Sequence, residues 1–180
     1  MKLRVICAAL AVTVAVAAAV VADTVSIPGT GVSFEPPAGF TVLSAKEIQA
    51  KYPSSRAPSF VVGNERRSTT IGCDLKGDEL SFDQLPEAKA AFEPLLERMV
   101  PGIEWVRKEL VTLQGQQWIY LEMTSRAVDT DIHNIMLITS LRDRLFLCNF
   151  NSTKREFPSV QGALQKSIES LKLPSAAPGT

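Results

Sequence analysis

Between residues 131 and 150 the chain carries two extended arms that are apolar on both faces. In the first, Ile135 and Leu137 alternate with Met136 and Ile138; in the second, Leu145 and Leu147 alternate with Phe146, Cys148 and Phe150. Successive strand side chains point to opposite faces, so a strand wetted on one side reads as a strict apolar/polar alternation. These arms do not, and that requires cover on both sides. The pattern predicts a central sheet organised around the 131–150 hairpin, with helices or loops above and below it. Leu147→Ala, at a central and covered position, is expected on this reading to cost about 2–5 kcal/mol.

What precedes the hairpin fits a chain of 180 residues built as one folded unit behind a leader. Lys2 and Arg4 are followed by an uncharged Ala/Val/Leu run over 5–21, and Val20-Val21-Ala22 places small residues before the polar Asp23. This is the pattern of a secretory signal peptide, 1–22, with cleavage expected after Ala22. The run is also about long enough to span a bilayer, so an uncleaved anchor is the alternative. Cys7 lies before the apolar run rather than after it, which argues against lipidation there. Export predicts a periplasmic or secreted location and no stable membrane insertion once the leader is removed. The chain has 19 basic and 19 acidic residues, and losing Lys2 and Arg4 leaves it slightly acidic. No basic footprint for nucleic acid is present.

The expected unit runs from 23 to 173, with 174–180 a disordered tail. A lead-in over 23–31 is followed by a short strand at 32–34 and a turn forced by Pro36, Pro37 and Gly39. Ser44 and Glu47 form a capping-box pattern that opens a helix to about Lys51. Strands follow at 59–62 and 68–75, then the longest helix, from near Asp83 to Val100. Its stripe of Leu85, Ala88, Phe92, Leu95, Leu96 and Met99 is expected to lie on the sheet, and Pro94 to kink or interrupt it. Strands at 103–113 and 117–126 precede the central hairpin, whose turn, Arg142-Asp143, lacks glycine. A last helix carries Val160, Leu164, Ile168 and Leu171 on one stripe.

That element order, with the motifs Phe34-Glu-Pro-Pro-Ala-Gly-Phe40, Asn149-Phe-Asn-Ser152 and Ser167-Ile-Glu-Ser-Leu171, resembles the Mog1/PsbP-like superfamily. The resemblance implies an α+β fold, an antiparallel sheet sandwiched between helices. The group includes photosystem II extrinsic proteins, a Ran-binding nuclear protein and bacterial proteins, some acting as effector chaperones. Its members share a scaffold more than a chemistry, so it supplies no catalytic residues to carry over. It implies a non-catalytic accessory or binding protein.

The candidate sites are few. Asp129, Asp131 and His133 alternate, so an extended strand would present all three on one face, where they could hold a metal ion. A solvated strand end is the simpler reading, and no cofactor is expected. His133 is the single histidine and hence the one conventional base for a serine or cysteine nucleophile; no Gly-x-Ser-x-Gly elbow accompanies it. Trp105, Trp118 and Tyr120 on adjacent arms are either an aromatic binding surface or core packed beneath a helix. Arg66-Arg67, Arg142/Arg144 and Lys154-Arg155 sit at turns and would form an anionic contact site if those turns shared one end of the sheet. Without Cys7, two cysteines remain, Cys73 and Cys148. An oxidising compartment favours a disulfide between them, whereas their apolar contexts suit free buried thiols.

Taken together, these features predict an exported, non-catalytic protein whose partner is another protein, with immunity, inhibitor or chaperone-like roles as specific versions. The alternative is a small periplasmic metal-binding protein or hydrolase using the Asp129/Asp131/His133 end. Elemental analysis separates them, because only the second requires stoichiometric metal.

Overall fold

The apolar hairpin forms the middle of a seven-stranded sheet. A computed structural model describes residues 23–52, 57–127 and 130–174. The expected leader, Asp129 and the tail beyond Pro174 lie outside the described residues. In chain order the elements are β1 (Val25–Ser26), β2 (Ser33–Phe34), β3 (Thr41–Val42), α1 (Ala45–Lys51), β4 (Phe60–Gly63) and β5 (Thr69–Glu79). A 3-10 turn (Phe82–Gln84) then leads into α2 (Leu85–Met99). It is followed by β6 (Glu104–Leu113), β7 (Gln116–Arg126), β8 (Asp131–Leu141), β9 (Arg144–Thr153) and α3 (Phe157–Glu169).

The sheet order is β3-β4-β5-β9-β8-β7-β6, and every pairing is antiparallel. The fold is α+β. On one face Trp118, Leu137, Phe146 and Phe150 join a core with Ile27, Val32 and Phe34 of the β1–β2 hairpin and Leu164, Ile168 and Leu171 of the α3 segment. On the other, Ile119, Leu121, Met123 and Ile138 meet Leu85, Ala88, Phe92 and Leu96 of α2. The two-sided apolar pattern of β8 and β9 therefore has the cause read from it.

Three expectations change in detail. Pro94 does not interrupt α2, which runs unbroken from Leu85 to Met99. Proline removes the bond to the carbonyl four residues earlier, and here that carbonyl belongs to Ala90, an exposed residue that water can serve. Leu95 and Met99 are exposed rather than laid on the sheet. Leu147 is only half-buried although β9 is the central strand.

The turn between β8 and β9 shows how a glycine-free pair enters a tight hairpin. Arg142 and Asp143 both adopt positive φ, 55° and 56°, as a type I′ turn demands. The Asp143 carbonyl accepts from the Leu80 amide at 3.0 Å. The Arg142 guanidinium donates to the Thr30 carbonyl at 3.2 Å. Both contacts offset the cost of the left-handed backbone. Gly72, by contrast, is there for space: a Cβ added to it would lie 2.9 Å from Pro58 Cγ. Gly72→Ala should displace the Pro58 segment and destabilise by about 1–3 kcal/mol, read as a lowered unfolding midpoint in urea.

Candidate functional site

Tyr120 and Glu122 alternate along β7 on the face covered by α3, and His133 joins them from β8. Thr124 stands opposite His133 in the ladder, so Glu122 lies diagonal to it. From there the Glu122 carboxylate reaches His133 Nε2 at 2.7 Å, with both residues buried. The Tyr120 hydroxyl donates to the other carboxylate oxygen at 3.4 Å. The Arg107 guanidinium lies 4.4 Å from the Tyr120 ring centre. Burial, with the Glu122 charge beside it, pushes the Tyr120 hydroxyl up to about 12. The His133 ring stacks on Phe157 at 3.4 Å and 10°.

This set has acid–base partners but not the arrangement of a nucleophilic site. Both hydroxyl residues opposite His133 are engaged elsewhere: Ser152 is buried and shares a 2.9 Å hydrogen bond with Thr69, and Thr124 donates to Glu104 at 3.3 Å. Phe157, the first residue of α3, covers the imidazole face. The group ties β7 and β8 to the start of α3. Sequence reading missed Glu122 as the partner of His133, because a diagonal pair depends on register, which the bare sequence leaves open.

Of the three residues in the metal reading, two are described. Asp131 is exposed at the strand start, His133 is buried with its Nε2 turned to Glu122, and Asp129 lies outside the described residues. Among the described residues no group of three potential ligands converges. The aromatic reading is corrected. Trp118 and Tyr120 are buried on the α3 face. Trp105 is half-buried on the opposite face, its indole N–H donating to Glu97 of α2 at 2.8 Å. The three cannot form one surface.

The basic turns separate too. Arg66-Arg67 and Lys154-Arg155 share an end of the sheet, where Thr69 pairs with Ser152, while Arg142 and Arg144 lie at the other, beside Glu79. Arg67 is already engaged by Glu47 at 2.7 Å and by the Gly63 and Asn64 carbonyls. Cys73 and Cys148 stand directly opposite in the β5–β9 ladder, fully buried, with sulfurs 2.05 Å apart and α-carbons 4.1 Å apart.

The remaining feature is the incomplete cover of the α2-side face. Glu93 and Glu97 of α2 point toward β6, where they meet Lys108 and Trp105. Ala88 and Ala91 lie on the other flank, lining a cleft of about 200 Å³ with Leu80. Leu95 and Met99 follow Ala91 at spacings of four and so continue that flank; they are 37% and 46% exposed. Beside it, on the strands between α2 and α1, Met136, Leu145 and Leu147 are only half-buried. Among the described residues an apolar strip is thus left between the two helices, with Pro58 against Gly72 on its α1 side.

α1 lies on the same face of the sheet, where Tyr52 at its end shares a 3.1 Å hydrogen bond with Thr70 of β5; it contains no buried residue and is held by polar contacts. Ser44 and Glu47 form the capping box, Glu47 binds Arg67, and Lys51 donates to the Arg67 carbonyl at 2.8 Å. The Ser44 backbone amide, then the Arg67 side chain and the Ser44 hydroxyl, hold the Glu47 carboxyl down to about 2 from an ordinary 4.5. A depressed carboxyl stabilises the fold fully above its unfolded value and loses that contribution as pH falls through the folded one. The stability difference between wild type and Glu47→Gln should therefore be constant above about pH 5 and close between pH 4.5 and 2. Thermal melts at matched ionic strength check this; a difference that instead closes near neutrality would assign it to another group.

No protein-family model matches the chain, and no curated protein matches it in sequence. Solved structures do. The chain is similar to cyanobacterial PsbP (CyanoP) from Synechocystis sp. PCC 6803, with a TM-score of 0.60 and 14% identity, covering 90% of this chain and 98% of that one. It is similar to LpqN of Mycobacterium tuberculosis, a protein involved in cell envelope biogenesis, at TM-score 0.55 and 18% identity over 84% of this chain and 90% of that one. A Mog1 variant superposes at TM-score 0.54 and 16% identity, over 84% and 95% respectively. The fold is Mog1/PsbP-like. At these identities the likeness is one of architecture.

Proposed function

We propose that this Mog1/PsbP-like chain is an exported, non-catalytic accessory protein that works by binding another protein along the strip between α1 and α2. The carrying observation is the unfinished helical layer. Strands lie about 4.8 Å apart, so seven of them span about 29 Å, whereas a helix with its side chains is about 10 Å wide. That face is wide enough for three helices, and among the described residues it carries two, α2 and α1. The space between them is floored by Met136, Leu145 and Leu147 and walled by Leu95 and Met99. Half-exposed aliphatic side chains gathered in one strip are the ordinary signature of a contact surface. The accessory role implied by the superfamily resemblance points the same way, and the signal-peptide pattern of 1–22 supports export.

The reading is tested by placing a photo-crosslinking residue at Leu95 or Met99, with Gly162, on an exposed turn of α3, as the control. In the native host the two strip positions should trap one common protein that the control position does not. Leu95→Glu should abolish that product while leaving the melting temperature within a few degrees. Equal trapping at all three sites, or none, would refute the surface. Export carries its own check, since the mature protein should begin at Asp23; intact Met1 in a membrane fraction would make it an anchored protein instead.

A further inference from the structure

We draw no further inference here: the strongest candidate, the apolar strip between α1 and α2, belongs to the site already described, and nothing in the structure shows what covers it.

Discussion

Phe150→Ala is expected to lower the unfolding free energy by about 3–5 kcal/mol, while Leu147→Ala on the same strand should cost only about 1–2 kcal/mol. Phe150 is fully buried on β9, in the core shared with the β1–β2 hairpin and α3. Truncating it removes the transfer free energy of a whole ring and leaves a cavity that a sheet fixed by neighbours on both sides cannot close. Leu147 points the other way, toward the strip between α1 and α2, and is half-buried before any substitution. It loses less on truncation because less of it was withdrawn from water, and the space left opens to solvent. Denaturant unfolding of both variants, compared at unchanged m-value, makes the measurement. The comparison also bears on function: if Leu147→Ala proves as costly as a fully buried leucine, the second face is closed in solution and the strip is not a docking surface.

What could be read from the sequence was whatever depends on local pattern. The alternation around Met136 and Phe146 required cover on both faces, and the sheet has cores on both. Ser44 and Glu47 announced a cap, and the cap is formed. The lost details depend on register and parity. Trp105 would share a face with Arg107 if β6 were regular; the bulge at Val106 inserts one residue and turns the indole to α2, away from Tyr120. Glu122 reaches His133 because β7 and β8 align Thr124 with His133, an offset that no spacing within either strand reveals. The stripe on α2 was legible as apolar, but not how far across the sheet the helix would reach. That is set by α2 leaning toward β6 through Glu93 and Glu97, which leaves Leu95 and Met99 without cover.

Breaking the link between Cys73 and Cys148 should be the other large loss, about 4 kcal/mol in the chain-entropy treatment. Two conditions govern a disulfide between them: an oxidising compartment and close, suitably directed α-carbons. The β5–β9 ladder meets the second. Cys73 stands opposite Cys148, next to the pair Gly72–Asn149 on one side and Asp74–Leu147 on the other. Export, as proposed, would meet the first. The bridge closes a loop of 75 residues, and the entropy removed from the unfolded chain grows with the logarithm of that length. The enclosed segment contains α2 and β6 to β8, so the link joins the adjacent strands β5 and β9 in the middle of the sheet. Denatured, unreduced protein from the native host should titrate with no free thiol, and the Cys73→Ala, Cys148→Ala double variant should lose about 2–5 kcal/mol. Both sulfurs are fully buried, so reductant added to the folded protein should act only at the rate of unfolding or local opening. Two titratable thiols per denatured chain would refute the bond in the cell, and with it one support for an oxidising location.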